Sequence, residues 1–130
     1  MKKILVMGLP GAGKTTLSLE LAKMLNAVHF NADEIRTIFS DWDFAPAART
    51  RQAIRMERLT KLTTKNCVVD FICPFDDYRK YYDITIWMNT IESGRYEDTN
   101  QIFERPLNPN YIIDDYDYDK IIKELRDRLG

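Results

Sequence analysis

The chain has 130 residues, of which 45% are hydrophobic and 30% are charged, and its formal net charge is −1. This length and composition predict a single soluble globular domain over residues 1–130 and exclude a disordered chain. The balanced charge gives no reason to expect a nucleic-acid or membrane partner, and no apolar run approaches the roughly 20 residues that cross a bilayer.

The first half of the chain predicts two strands and three helices. Residues 4–7 form a continuous apolar run that stops at a glycine-rich turn, which is typical of a strand buried on both faces of a parallel sheet. A helical period then begins at Lys14 and carries an apolar face to Leu25. The elements that follow are a short strand at 27–30, a helix at 32–39, and a helix from Pro46 to about Lys65 with Ile54, Leu59 and Leu62 as expected core residues.

The second half predicts three more strands. Residues 67–73 form one strand that contains both cysteines, and strand residues six apart are about 20 Å from each other, so Cys67 and Cys73 are not expected to form a disulfide. Reduced thiols favour a cytoplasmic protein. The remaining elements are a short helix at 76–82, strands at 83–88 and 111–114, a helix at 117–129, and a long irregular loop at 93–110 of the kind that is usually functional or mobile. Strands that alternate with helices predict an α/β fold with a parallel sheet.

One segment matches a phosphate-binding pattern at every fixed position. The pattern G-x-x-x-x-G-K-[ST], between a predicted strand and a predicted helix, is matched by Gly8-Leu9-Pro10-Gly11-Ala12-Gly13-Lys14-Thr15. Glycines allow successive backbone N–H groups to point at phosphate oxygens, and the following helix adds the positive end of its dipole. Lys14 then reaches the β- and γ-phosphates, and the Thr15 hydroxyl ligates Mg²⁺. Residues 8–16, ending at Thr16, are therefore predicted to bind Mg·ATP.

The phosphate loop alone does not distinguish a kinase from a GTPase, an ATPase motor or a nucleic-acid enzyme. The domain is small, its strands are joined by short connections, and it contains no Asn-Lys-x-Asp sequence for guanine recognition. A small-molecule kinase is therefore favoured. The single histidine, His29, excludes a metal site built from several histidines.

Two carboxylates are candidates for the acceptor and metal sites of a kinase. Asp33 follows the second predicted strand, at the carboxyl edge of the sheet where ligands bind, and is a candidate to orient the acceptor hydroxyl. A structural alternative is that Asp33 caps the next helix. Asp70 follows an apolar run and is a candidate for the magnesium shell, because a lone carboxylate is costly to bury there without a cation, a water or a base.

The helix that begins at Pro46 is strongly basic, which leaves two interpretations open. Its cations are Arg49, Arg51, Arg55, Arg58, Lys61 and Lys65, against one acid at Glu57. They form a solvated helix face, or the first turns of the helix line an anion pocket. In the second case the possible stripes are Arg51, Arg55 and Arg58, or Arg49, Gln52 and Arg55. Phe44, just upstream, offers a ring that stacks on a base.

Five segments in chain order carry a resemblance to a known family. They are the glycine loop through Leu17, residues 31–36, Asp43-Phe44-Ala45 with Arg49 and Gln52, residues 71–75, and residues 103–109. After the glycine loop, these segments resemble the D-G-D-N-[IV]-R, L-G-F-S…R-x-E-N, F-I-S-P-Y and Y-E-x-P-x-N-P motifs of the adenylylsulfate kinase family. That family uses ATP to phosphorylate the 3′-hydroxyl of adenosine 5′-phosphosulfate.

The resemblance implies a three-layer P-loop NTPase fold with a five-stranded parallel sheet in the order 2-3-1-4-5. It implies transfer of the γ-phosphoryl group of Mg·ATP to a small anionic nucleotide, with Lys14 and Asp33 as catalytic residues and Thr15 and Asp70 near the metal. The substrate-binding residues that it implies are Asp33, Arg36, Phe44, Arg49, Gln52, Ile72, Cys73, Pro74 and Phe103.

The sequence departs from this family in the lid. The R-D-x-K-G-L-Y motif is missing, and residues 90–100 stand in its place with Arg95 as the candidate lid cation. A lid excludes water and supplies cations to the transferring phosphoryl group. Two further interpretations therefore stay open, namely a kinase for another nucleoside, nucleotide or sugar acceptor, and a nucleotide-binding protein with little kinase activity. The sequence does not predict the oligomeric state.

Overall fold

A computed structural model of the protein describes residues 1–94, 96–115 and 118–129. The strands are β1 (Lys3–Met7), β2 (Val28–Asn31), β3 (Cys67–Asp70), β4 (Ile84–Met88) and β5 (Tyr111–Ile113). The helices are α1 (Lys14–Leu25), α2 (Ala32–Phe39), α3 (Pro46–Thr60), α4 (Glu97–Ile102) and α5 (Asp119–Leu129), with a short 3₁₀ turn at Asp76–Tyr78. The five strands form one parallel sheet in the order β2-β3-β1-β4-β5. The expected fold class and strand order are confirmed.

The central strand β1 shows why the fold has three layers. Ile4 and Val6 belong to a buried cluster that includes side chains of α1 and α5. Leu5 and Met7 belong to a second cluster that includes side chains of α2 and α3. Successive side chains of a strand point to opposite faces. All four residues are fully buried, so the continuous apolar run marks a strand covered by helices on both sides.

The parallel register brings three strand ends to one edge of the sheet. Asp70, at the end of β3, pairs with Asn31 at the end of β2 and with Val6 of β1. The phosphate loop follows β1 within two residues of Val6. Because the carboxyl ends of parallel strands form the usual ligand-binding edge, this register places the loop, Asn31 and Asp70 together.

The prediction for the third helix is wrong at its end and on its buried face. α3 ends at Thr60 rather than near Lys65, and Ile54 and Leu62 are 38% and 83% exposed. Leu59 is partly buried against the second cluster. The buried side of α3 is instead formed mainly by small or polar residues, which are Ala48, Arg49, Gln52, Ala53, Met56 and Thr60. Small residues allow a helix to approach the sheet closely, so the large apolar side chains are not needed for the contact.

Three other predicted elements differ from the structure. β3 ends at Asp70, and Cys73 lies beyond it with a left-handed backbone (φ 47°), so the distance argument from a single strand does not hold; both cysteines are nevertheless free and buried. The helix expected at 76–82 is only the 3₁₀ turn, and the loop expected at 93–110 contains α4. In the described ranges, no helix combines the length and apolar character needed to cross a membrane.

Candidate active site

The phosphate loop has the backbone conformation that its glycines permit. Gly8 has a φ of 148°, and a Cβ there would lie 2.7 Å from the Met88 carbonyl oxygen, so a side chain does not fit. Gly13 has a φ of 94° and precedes α1, whose first turn has no side-chain cap or acidic residue. The first N–H groups of α1 therefore have no side-chain partner, and the N-terminus of this helix is suited to bind an anion. Lys14 is only 9% exposed, and its Nζ donates to the Leu9 carbonyl at 3.0 Å.

A polar cluster follows the strand ends beside this loop. Thr15 Oγ1 donates to Asp70 Oδ2 at 2.6 Å, and Asn31 Nδ2 donates to the same oxygen at 3.0 Å. His29 Nε2 lies 3.5 Å from it. Burial raises the pKa of the Asp70 carboxyl, but His29, Thr15, Asn31 and the charge of Lys14 outweigh burial and hold this pKa below its usual value. Asp70 is therefore an ionised carboxylate at neutral pH, although it is only 3% exposed.

The pair formed by Thr15 and Asp70 fits a magnesium ion. Asp70 is a buried anion whose closest hydrogen-bond partners, Thr15 and Asn31, are neutral, so a cation beside it would offset the cost of its burial. A hydroxyl and a carboxylate supply the oxygen ligands that Mg²⁺ takes. Within the described ranges, no three His, Cys, Asp or Glu side chains form a metal-binding group. Mg²⁺ in proteins is commonly held by one or two carboxylates together with substrate phosphates and water.

Asn31 also begins α2, and this corrects one alternative for Asp33. The Asn31 Oδ1 accepts from the Glu34 N–H at 2.9 Å, so Asn31 is the cap, and the capping role considered for Asp33 is wrong. Asp33 lies in the first turn of α2, is exposed and lines the cavity described below. In the part of the chain that the structure describes, its carboxylate has no hydrogen bond or ion pair and is available to a ligand.

Two buried arginines flank the ring of Phe44 in the same cavity, and one of them, Arg36, lies one helical turn after Asp33. The guanidinium carbons of Arg36 and Arg49 lie 4.7 and 5.3 Å from the centre of the Phe44 ring. Arg36 Nη1 donates to the Asp41 and Asp43 carbonyls at 3.0 and 3.2 Å. Arg49 Nε donates to the Phe44 carbonyl at 2.6 Å. Both arginines are about 5% exposed or less, so each presents a positive charge from a fixed position.

The other arginines of α3 have a different partner. Arg51 and Arg55 both contact the Asp41 carboxylate, at 2.9 and 3.0 Å, and they hold its pKa well below its usual value. Neither lines the cavity, and Arg58 does not either. Neither stripe considered for an anion pocket lines the cavity as a whole, and Arg49 is the one member of either that does.

A single cavity of about 750 Å³ joins these groups. The predicted site residues on its wall are Pro10, Gly11, Gly13, Lys14, Thr15, Thr16, Asp33, Arg36, Phe44, Arg49, Asp70, Ile72 and Pro74. The remaining wall is formed by residues that the sequence did not single out as site residues, which are Asn31, Ala32, Trp42, Phe71, Tyr96, Asp98 and Thr99. Sequence signals for most of them were present, because Asn31, Ala32 and Phe71 lie in the segments 31–36 and 71–75 that carry the family resemblance, and Tyr96, Asp98 and Thr99 lie in residues 90–100, which stand in place of the lid motif.

Several predicted substrate-binding residues lie elsewhere. Gln52 is fully buried and donates to the Ala32 carbonyl at 3.0 Å. Cys73 is 1% exposed, and burial raises the pKa of its thiol to about 12. Phe103 packs beneath the Arg79 guanidinium at 5.2 Å. None of the three lines the cavity, and neither do Gly8, Leu9 and Ala12 of the loop. Arg95 lies outside the described residues.

The sequence of the chain matches a known protein family. Residues 4–114 match the model of an AAA domain. The chain belongs to this AAA domain family. No curated protein matches the sequence of this AAA domain.

Solved structures show the same fold in kinases. The APS kinase CysC of Mycobacterium tuberculosis, in complex with AMPPNP and APS, is 19% identical with a TM-score of 0.80, over 98% of this chain and 96% of that chain. The shikimate kinase of Aquifex aeolicus is 12% identical with a TM-score of 0.69, over 98% and 95%. A gluconokinase of Sinorhizobium meliloti is 14% identical with a TM-score of 0.68, over 98% and 93%. The AAA domain therefore has a P-loop kinase fold, as the sequence resemblance implied.

Proposed function

We propose that the protein transfers the γ-phosphoryl group of Mg·ATP to a hydroxyl of a small anionic nucleotide, with adenosine 5′-phosphosulfate as the favoured acceptor. One observation carries this proposal: a single cavity is lined both by the phosphate loop, which we call its nucleotide end, and by an available carboxylate with two buried arginines, which we call its acceptor end. A phosphoryl-transfer site needs those two ends, with the donor phosphate and the acceptor hydroxyl in line between them.

The nucleotide end binds and neutralises the triphosphate. The N–H groups of the loop and of the first turn of α1 bind phosphate oxygens, and Lys14 adds a positive charge beside them. Thr15 and Asp70 would hold the magnesium ion, which neutralises charge on the phosphates when it is bound. The hydrogen bond from Lys14 Nζ to the Leu9 carbonyl holds the ammonium group against the loop, where it contributes its charge to the phosphate site.

The acceptor end orients the hydroxyl that attacks. Asp33 accepts a hydrogen bond from this hydroxyl and receives its proton as the new phosphate ester bond forms. Arg36 Nε and Nη2, and Arg49 Nη1, have no hydrogen-bond partner in the described ranges, so they remain as donors for the phosphate or sulfate oxygens of the nucleotide. Arg is suited to such contacts because its fork of N–H groups binds oxyanions in pairs.

A second candidate is a kinase of the same mechanism with a different acceptor. It is supported by the variety of acceptors named for proteins of this fold, since shikimate kinase and gluconokinase share it with APS kinase. The acceptor end of the present cavity carries two arginines and the neighbouring rings of Trp42 and Phe44, which favours an anionic nucleotide over an uncharged sugar.

The test is ADP release from Mg·ATP with single acceptors at fixed ATP, followed by identification of the product by mass spectrometry. The panel includes adenosine 5′-phosphosulfate, AMP, adenosine, shikimate and gluconate. We expect acceptor-dependent release that is fastest with the phosphosulfate nucleotide and strongly reduced in Asp33→Asn, with ATP binding retained. ADP release that is the same with and without every acceptor would contradict a kinase. Release that is fastest with another acceptor would support the second candidate.

A further inference from the structure

The short helix α4 contributes to the wall of the cavity, and Gly94, which precedes it, lies against Pro10 of the phosphate loop. Asn100 fixes this segment, because its Oδ1 accepts from the Gly94 N–H at 2.7 Å and its Nδ2 donates to the Gly94 carbonyl at 3.0 Å. Gly94 itself lies against Pro10, where a Cβ would be 3.1 Å from Pro10 Cδ and 3.2 Å from the Pro10 carbonyl oxygen. These contacts fix Gly94 between Asn100 of α4 and Pro10 of the phosphate loop.

The helix reaches the acceptor end of the cavity through Arg49. The Nη2 of Arg49 donates to Asp98 Oδ2 at 3.2 Å and to Thr99 Oγ1 at 3.1 Å. Asp98 and Thr99 line the cavity together with Arg49. α4 thus supplies two partners to the same nitrogen of a guanidinium that faces the proposed acceptor.

These two partners differ in charge and burial. Thr99 is 3% exposed and neutral, so it satisfies a buried donor of Arg49 without changing the charge of the site. The Asp98 side chain is 70% exposed and carries a negative charge at the mouth of the cavity. An anionic acceptor that approaches Arg49 meets this carboxylate at close range, and like charges repel.

We propose that α4 sets the acceptor selectivity through these two residues. Thr99 is a positioning residue that holds the Arg49 guanidinium towards the cavity. Asp98 competes with the anionic group of the acceptor for the same guanidinium and lowers the affinity for anions. The inference rests on the proposed function, because it takes Arg49 as part of the acceptor site.

Matched substitutions separate the two roles. Asp98→Asn removes the charge and keeps the size of the side chain, and we expect it to lower the acceptor KM of adenosine 5′-phosphosulfate by about twofold to fivefold with kcat unchanged. Thr99→Val keeps the shape of the side chain without its hydroxyl, and we expect it to raise this KM by roughly twofold to tenfold. Glu97→Gln is the control, since it removes the same charge from the neighbouring residue, which does not contact Arg49, and we expect no change.

A second measurement does not depend on the identity of the acceptor. Inorganic sulfate is titrated at constant ionic strength into the protein with saturating Mg·AMPPNP, so that the phosphate loop is already occupied, and binding is followed by the fluorescence of Trp42, which lines the cavity, with Trp42→Phe to assign the signal. We expect Asp98→Asn to bind sulfate more tightly than the unchanged protein, and Thr99→Val to bind it more weakly.

Each outcome decides between the two roles. Weaker sulfate binding by Asp98→Asn would show that Asp98 holds Arg49 in place and would overturn the proposed competition, as would an equal effect of Glu97→Gln. Sulfate that does not bind at all would remove Arg49 from the anion site and overturn the inference. A fourth outcome separates the inference from the proposed acceptor. If the sulfate affinities follow the expected order but the protein does not phosphorylate adenosine 5′-phosphosulfate, the inference about α4 is supported and the proposed acceptor is refuted.

Discussion

Asn31 connects the two ends of the site, and its replacement should show this in the stability of the protein. Its Oδ1 caps α2 through the Glu34 N–H, and its Nδ2 donates to the buried carboxylate of Asp70. An Asn-to-Ala change at a cap costs about 1 kcal/mol. A hydrogen bond to a charged group contributes roughly 1.5–3 kcal/mol. We therefore expect Asn31→Ala to lower the free energy of unfolding by roughly 2.5–4 kcal/mol.

A serine at this position separates the two contributions. Ser caps a helix about as well as Asn, but its side chain is too short to reach Asp70 as well. We expect Asn31→Ser to lose only the contribution of the Asp70 contact and to be about 1 kcal/mol more stable than Asn31→Ala. Urea unfolding, with equal m values for all variants, measures the difference. The reasoning fails if Asn31→Ser is as stable as the unchanged protein, or if Asn31→Ala is no less stable than Asn31→Ser.

Three further changes test the nucleotide and acceptor ends. Lys14→Met should reduce ADP release by roughly 100-fold or more and leave the circular dichroism spectrum unchanged, because it removes charge stabilisation of the transferring group; normal turnover would exclude the proposed role of the loop. The folded-state pKa of Asp70 lies below its ordinary value of 3.8, so the ionised carboxylate stabilises the fold above that pH. The difference in the free energy of unfolding between the unchanged protein and Asp70→Asn should therefore shrink as the pH falls below 3.8. Urea midpoints across this range measure it, and Asp77→Asn, at an exposed acid, is the control. Arg36→Lys keeps the charge but loses the fork of donors, and we expect the acceptor KM to rise about tenfold with the ATP KM unchanged; equal changes in both would indicate a disturbed fold.

The features that the sequence predicted correctly are those imposed by the local chain. The apolar run of β1 has no polar position because both of its faces are covered, so it identifies a central parallel strand. The phosphate loop depends on backbone conformations that its glycines permit, and a residue other than Gly8 would collide with Met88. The second and third strands were predicted at 27–30 and 67–73, so the existence of both is confirmed but their ends are not; in the structure they end in Asn31 and Asp70, which the parallel register brings together.

Errors arose where the structure depends on contacts between distant segments. Ile54 and Leu62 have the spacing of core residues, but Leu62 lies beyond the end of α3, and α3 packs through Met56 and otherwise mainly small and polar residues, so Ile54 remains on the surface. The periodicity of a basic helix also does not say which arginine faces a cavity. That choice is made by Asp41, which lies before α3 in the chain and takes Arg51 and Arg55 as its partners.

The helix α4 was not predicted from the sequence, and its composition shows why. It has six residues, and of these only Thr99 is buried, so there is no apolar period to detect. Polar contacts fix the helix instead. They are the contacts of Asn100 with Gly94 and those of Arg49 with Asp98 and Thr99, which are 49 and 50 positions further along the chain. A short helix of this kind is stabilised by tertiary contacts rather than by its own propensity. The same contacts that hide α4 from the sequence tie it to the acceptor end, which is why a change at Arg49 should affect both the position of α4 and the binding of the acceptor.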